Sequence, residues 1–361
     1  MCTVADEYSY VVGVDTHART HTLAIVEAAT GRLIATDEFP TSPAGLARAV
    51  DWARRRAGGG ALLASVEGTG SYGAGLVAAL TAVSIPVVEA KPPRTAARSG
   101  RGKSDSIDAE AATQSVLGRE VTRLLHPRAG KVRSALRVLL AARRSMDTQR
   151  TASRNTLTAL LRVVDLGLDA RKPLTDKQVS LIASWRARPS DDIEEATARG
   201  EAVRLARDVL VLTVRMKENR DALELRVTEL APTLLQNCGI GPVTAAVFVT
   251  VYSHPGRVRS EAAFASLGGV SPLEASSGNT KRHRLNRSGD RQLNRALDVV
   301  TRVRIAKDPQ TRAYRDRRLA EGKTTRDIRR SLKRYIARQI YRELTTTMRS
   351  TPSVENLPRA S

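Results

Sequence analysis

Two apolar runs in the first seventy residues each terminate on a carboxylate. Tyr10-Val11-Val12-Gly13-Val14 leads into Asp15, and Ala61-Leu62-Leu63-Ala64-Ser65-Val66 leads into Glu67. Short apolar runs of this kind, bounded by turn signals, read as buried strands. A charge set directly at the end of such a strand is costly unless it has a partner or a task. The fold must bring both strand ends to a place where paired acids are tolerated.

The surrounding elements say which fold does this. Thr22-Leu23-Ala24-Ile25-Val26 and Arg32-Leu33-Ile34-Ala35-Thr36 read as strands two and three, separated by Thr30-Gly31. Ser42 as N-cap and Pro43 at the first helical position open a helix to about Ala57. A second helix runs from Gly73 to Val83, and Ile85 to Ala90 is a fifth strand. Three strands, helix, strand, helix, strand is the order of a ribonuclease-H-like mixed sheet, in which the first and fourth strands are neighbours. The fold class is therefore α/β at the N-terminus, followed by an all-α part. In that part Val132, Leu136, Leu139 and Leu140, then Leu157, Leu160 and Leu161, recur at helical spacing. Pro173 and Pro189-Ser190-Asp191-Asp192 interrupt the pattern, the latter starting a helix that runs long through Val203 to Leu230. A coiled-coil linker that dimerises and a local helical bundle both satisfy this pattern.

Charge divides the chain the same way. Lys and Arg number 59 against 37 Asp and Glu, a formal +22, and 49 of the 59 are Arg. Residues 1 to 120 sum to −1, residues 121 to 280 to +8, and residues 281 to 350 to +15. Such an excess calls for a polyanionic partner, nucleic acid first among them. With 41% hydrophobic residues this is no disordered basic tail, and with 3% aromatics it is no base-stacking platform for single strands. Cys2 and Cys238 form neither a disulfide framework nor a zinc pattern, which suits a reducing compartment. No apolar run approaches 18 residues and no signal peptide is readable, so a soluble, cytoplasmic protein with no membrane partner is expected.

Two more acids follow the strand-end pair. In Gly102-Lys103-Ser104-Asp105-Ser106-Ile107-Asp108, Ser104 reads as an N-cap, and Asp105 and Asp108, three apart, share a helical face. Alone, each is an ordinary helix-start acid favoured by the helix dipole. With Asp15 and Glu67 they make a tetrad of hard oxygen ligands suited to Mg2+. Two such ions, about 3.5–4 Å apart, would clamp the oxygens of a phosphodiester displacement. Lys103 beside them either holds a phosphate or is simply solvated.

A second constellation lies far downstream. Cys238-Gly239-Ile240-Gly241-Pro242 reads as a helix-hairpin-helix turn, in which Gly239 and Gly241 expose backbone N–H groups to a phosphate, or as a plain packing corner. Later, Ser276-Ser277-Gly278 precedes Lys281, Arg282, Arg284, Arg287 and Arg291. Guanidinium groups in such density bind phosphates bidentately and stabilise charge developing at phosphorus.

Taken together, Asp15, Glu67 and Lys103-x-Asp105-x-x-Asp108-Ala109, with Gly239-Ile240-Gly241-Pro242 and Ser277-Gly278…Arg287-x-Gly289-Asp290-x-x-Leu293, resemble the DEDD-type transposases of the insertion sequence 110 group. The resemblance runs from about residue 8 to 345. It implies a RuvC-like domain over 8–128, a helical coiled-coil linker over 129–230, a mainly helical transposase domain over 231–345 and a disordered tail over 346–361. It further implies Mg2+ on Asp15, Glu67, Asp105 and Asp108, and a serine nucleophile at Ser277, with Ser276 as its rival. Donor and target DNA, a bridge RNA that guides the protein to them, and a homodimer or tetramer with composite active sites in a bacterial cytoplasm complete the implication. The residues alone leave room for a Mg2+-dependent Holliday-junction-type endonuclease using a metal-activated water. A non-catalytic nucleic-acid-binding protein is a third reading, disfavoured by the intact tetrad.

Overall fold

The computed structural model describes residues 2–90, 104–274, 283–284, 286 and 289–350. The chain divides after Arg128 into two compact units.

In the first unit a short helix, α1 (Val4–Glu7), precedes β1 (Tyr10–Thr16), β2 (Thr20–Glu27) and β3 (Leu33–Pro40). Then come α2 (Pro43–Ala57), β4 (Leu62–Val66), α3 (Ala74–Ala82), β5 (Val87–Glu89) and α4 (Asp105–Gln114). The sheet order is β3-β2-β1-β4-β5, antiparallel through β1 and parallel from β1 to β4 and β5. This is the expected ribonuclease-H-like mixed sheet, with the two acid-bearing strands side by side. Helix α2 starts as its sequence dictates, with the Ser42 hydroxyl accepting from the Gly45 N–H at 3.2 Å and Pro43 at the first position. The fifth strand is shorter than its apolar run. The Ile85 N–H still bonds Leu80 and Pro86 has no N–H to give, so pairing begins at Val87.

Alternation along β1 and β4 separates two cores. Val12, Val14, Ala64 and Val66 face Trp52, Leu76 and Leu80 of α2 and α3. Val11 and Leu63 face the other side with Val4, Val88, Val116 and Leu124. Gly13 belongs to that second face, and there α4 lies directly on the strand: a Cβ at position 13 would stand 2.2 Å from the Ala109 carbonyl oxygen. Ser65, at the matching position of β4, donates to the Ala112 carbonyl at 2.7 Å.

The second unit is helical. Helices α5 (Lys131–Val163), α6 (Asp176–Ala183) and α7 (Ile193–Leu230) come first. After a 3-10 turn at Pro232–Gln236 follow α8 (Pro242–Tyr252) and α9 (Glu261–Leu267), then the two-residue strands β6 (Leu273–Glu274) and β7 (His283–Arg284). Helices α10 (Arg291–Lys307), α11 (Pro309–Ala320) and α12 (Thr325–Ser350) complete it. Helices α5 and α7 are 33 and 38 residues long and run antiparallel against each other. At one end Leu157 and Leu161 meet Ala202, Leu205 and Val209, capped by Val179 and Ile182 of α6. At the other, Leu136, Leu223 and Val227 join the core of Phe248, Tyr252, Phe264, Leu297 and Ile340. Asn219 donates to the Leu139 carbonyl at 3.0 Å and Arg143 to the Met216 carbonyl at 2.8 Å, which sets the register between the two long helices. Asp192 caps α7 reciprocally with Glu195, the start expected after Pro189. No helix among the described residues is long and apolar enough to cross a membrane.

Candidate functional site

The acid site in the first unit follows from strand parity. Val11, Gly13 and Asp15 share one face of β1, and Leu63, Ser65 and Glu67 the matching face of β4. Asp15 stands at the C-terminal end of its strand with 12% of its side chain exposed. Glu67 lies one residue past β4 and is half-buried, yet its N–H still continues the ladder to the Val14 carbonyl at 3.1 Å. The Thr16 hydroxyl donates to the Glu67 carbonyl, also at 3.1 Å, and ties the two strand ends together.

Helix α4 delivers the second pair. Its N-cap is Ser104, whose hydroxyl accepts from the Ile107 N–H at 3.4 Å, and Asp105 and Asp108 fall in the first turn as expected. Because α4 crosses β1 at Gly13, its N-terminus is carried towards the end of that strand, and Asp105 meets Asp15 there. Between them stands His17. Its Nε2 is 3.1 Å from Asp15 Oδ2 and 3.6 Å from Asp105 Oδ1, while its backbone N–H closes the β1–β2 turn on the Thr20 carbonyl at 3.0 Å. Ligand atoms of Asp15, His17 and Asp105 all lie within 4.8 Å of one another. Among the described residues this is the grouping that could hold a metal ion. Two carboxylates and an imidazole nitrogen fit a divalent cation; the oxygens suit magnesium, the imidazole softer ions. Glu67 and Asp108 flank the group but are not part of it.

Nothing in the expected tetrad pointed to His17. The available signal was its place two residues after Asp15, the spacing at which side chains of a strand share a face. A further acid, Glu89 at the end of β5, pairs in register with Val66 and so belongs to the opposite face; its carboxylate accepts from the Thr69 hydroxyl at 3.0 Å. His21, buried on β2, has its imidazole pushed below the ordinary value by burial.

In the second unit the Gly239–Gly241 turn precedes α8. Gly239 has φ +81°, and a Cβ there would stand 3.1 Å from the Val300 carbonyl of α10. Gly241 begins α8, its N–H donating to the Thr244 hydroxyl at 3.0 Å. The turn is held by its neighbours, with Arg304 donating to the Cys238 carbonyl at 2.9 Å and Asn237 to Glu343 at 2.9 Å. Close packing on α10 thus accounts for Gly239.

The strands β6 and β7 pair Leu273 with Arg284 and Glu274 with His283, and so form the stem of the serine-bearing loop. Lys103, Ser276, Ser277, Lys281, Arg282 and Arg287 lie outside the described residues. The base of the stem is firmly built. The Asp290 N–H donates to the Leu267 carbonyl at 2.7 Å, and Gly289, at φ +105°, admits that carbonyl where a Cβ would come within 2.5 Å. The Asp290 carboxylate caps α10 at the Gln292 and Leu293 N–H groups, and Arg291 is exposed at the first position of that helix.

Comparison with known proteins covers both units. The model of a DEDD-type IS110 transposase family matches residues 12–164, which contain Asp15, His17, Glu67, Asp105 and Asp108. The model of the transposase IS116/IS110/IS902 family matches residues 231–316, which contain the Gly239 turn and the serine hairpin. A protein of Streptomyces coelicolor described as an insertion element IS110 uncharacterized 43.6 kDa protein is 36% identical over 115 residues. That match spans 30% of this chain and 28% of the relative's length.

Proposed function

Because the chain belongs to the DEDD transposases of the IS110 family, we propose that it cuts and rejoins DNA in the transposition of an insertion sequence. The observation that carries the proposal is the convergence of Asp15, His17 and Asp105 at the end of β1, inside the segment that the DEDD model matches.

The proposed chemistry is a displacement at phosphorus. The Ser277 hydroxyl oxygen attacks a DNA phosphodiester, a serine O–P bond forms, and the bond from phosphorus to one deoxyribose oxygen breaks. That oxygen leaves as a hydroxyl, its proton replacing the one the serine gives up. A hydroxyl of the strand to be joined then attacks the phosphoserine and restores Ser277. Serine at its free pKa is a weak nucleophile and needs activation. Asp15 and Asp105, with His17 between them, are the residues that would hold a divalent cation, Mg2+ in this reading, with Glu67 and Asp108 of the expected tetrad outside that grouping. The ion when bound would neutralise charge on phosphate oxygens. His17 keeps the Asp15 carboxylate oriented between strand and helix. Lys281, Arg282, Arg284, Arg287 and Arg291 bind the phosphates that flank the cut, with Lys103 as a further contact.

The net +15 over residues 281–350 is adequate for donor and target DNA and for the bridge RNA that the family resemblance implies. Exposed Val138, Val214 and Leu225 on α5 and α7 offer apolar surface for a homodimer or tetramer, the assembly in which the family resemblance implies composite active sites. The test is to trap the covalent protein–DNA adduct on DNA carrying the element's ends. Ser277→Ala abolishes it and Ser276→Ala retains it. An adduct that survives in both variants overturns the assignment. Metal-dependent cutting with no adduct at all leaves the water-using, Holliday-junction-type endonuclease as the better reading.

A further inference from the structure

The second unit contains a cleft of about 950 Å3 that none of the residues discussed so far explains. One wall is the segment entering the serine hairpin, from Gly269 to Pro272. The floor is α10, through Asn294 and Asp298, and the other wall is the first part of α12. Five cations line it, Arg326, Arg329, Arg330, Lys333 and Arg334, against two acids, Asp298 and Asp327.

The cations occur at helical spacing in the first turns of α12, while Ile328 and Leu332 on the other side are buried. The wall is also organised. Asp298 accepts from Arg329 at 2.7 and 2.9 Å, lies 2.8 Å from Lys333 Nζ, and receives Arg302 at 3.2 Å. One carboxylate thus gathers three cations and leaves a local excess of positive charge. Lys333 also reaches the Asn294 side-chain oxygen at 3.3 Å, and the Asn294 amide donates to the Gly268 carbonyl at 2.7 Å. The cationic wall is therefore tied to the base of the serine hairpin. Arg326, by contrast, is exposed and has no acidic partner among the described residues, and Arg330 reaches Asp327 only at 3.4 Å.

A concave surface lined by one sign of charge focuses its field and concentrates oppositely charged ligands. The stripe from Arg326 to Arg334 extends about 12 Å along the helix axis, at 1.5 Å per residue. That matches about three to four phosphates of one strand, at 3.4 Å per nucleotide along a duplex. We propose that this cleft seats the phosphate backbone of the DNA strand that runs past the serine hairpin. Arg326 and Arg330 make the direct phosphate contacts, and Arg329 and Lys333 form a wall held in place by Asp298. The inference rests on the DNA-cutting function above and says where in the second unit the cut strand lies. DNA is favoured over RNA as the occupant because the cleft opens at the base of the hairpin that carries the proposed nucleophile.

The test is carried out on the full chain with Arg326→Gln and Arg330→Gln together, both positions being exposed. Binding is read by fluorescence anisotropy on a labelled random-sequence DNA duplex and on the RNA duplex of the same sequence, across a salt series. The double variant is expected to lose about tenfold in DNA affinity. The slope of log affinity against log salt should shrink by about two, the value for two lost phosphate contacts. A control pair remote in sequence, Arg186→Gln with Arg188→Gln, leaves the DNA slope as it was. An unchanged DNA slope in the cleft variant, or a loss confined to the RNA duplex, overturns the proposal. Adduct formation by Ser277 is measured on the same preparations. Loss of the DNA slope without any wild-type adduct sinks the phosphoserine chemistry and keeps the cleft. A normal adduct with an unchanged slope does the reverse.

Discussion

The two units place their chemistry by opposite means. In the first, a nearly neutral segment, hydrophobic packing does the placing: apolar strands with both faces covered carry Asp15 and Glu67 at adjacent ends, and a helix pressed onto Gly13 brings Asp105 to Asp15. In the second, the positive charge is itself the organised feature, gathered around Asp298 and presented along α12. Acids that hold a cation must be close together, and their mutual repulsion is opposed by a rigid scaffold. Cations that hold a polyanion need only share a surface, and one partly buried acid suffices to arrange them. Substitutions in the first unit should therefore act through position, and those in the second through charge.

The largest effect that tests this contrast is expected at Asp15. Asp15→Ala should reduce DNA cutting by about 10³-fold or more, the several kcal/mol that a metal centre contributes to charge stabilisation at phosphorus. Cutting within tenfold of wild type would remove the first unit as the metal-binding one. Next comes Gly13→Val. A side chain there collides with the Ala109 carbonyl and the backbone of Thr113, so destabilisation of about 3 kcal/mol is expected by denaturant unfolding, along with impaired cutting as α4 moves away from β1. If the variant unfolds like wild type, α4 is not held by that contact.

The third effect is a charge effect and depends on pH. Burial would raise the Asp298 carboxyl, but hydrogen bonds from Lys333 and Arg329 outweigh it and hold the group below the usual carboxylate range. A carboxylate lowered in the folded state contributes stability above its unfolded pKa and loses it as pH falls through the folded value. Wild type should be more stable than Asp298→Asn at pH 7, and the two should converge as pH drops below about 4. A gap independent of pH would show that the cluster acts through packing alone. The smallest effect is expected at Gly200, exposed on α7 with nothing within 4 Å of a Cβ. Gly200→Ala should stabilise by about 0.5–1 kcal/mol, the reverse in sign of Gly13→Val, and thermal melting can check it.

Much of this was readable in the residues. The order of strands and helices, the Ser42-Pro43 and Ser104 helix starts and the neighbouring positions of Asp15 and Glu67 follow from local patterns that tertiary packing did not override. Other features were not. His17 has the spacing of a strand-face neighbour, but nothing local says that a helix some ninety residues later will place an acid against it. Gly239 carried the mark of a phosphate-binding turn, and the packing of α10 against it supplies another reason for a glycine there. The stripe on α12 looks in sequence like any Arg-rich helix, because only its partners on α10 make it a wall.

Sequence by itself determined the fold of the first unit and the family, and it singled out Asp15 and Asp105 among its candidate acids. All three rest on short-range patterns: alternation, capping, and motifs of a few residues. Tertiary structure alone decided which acids meet, that a histidine stands between two of them, and that five cations of α12 line one cleft with Asn294 and Asp298 of α10. These depend on side chains far apart in the chain meeting in space. Their positions are set by close approach of backbones, as at Gly13 and Gly289, which no local pattern encodes.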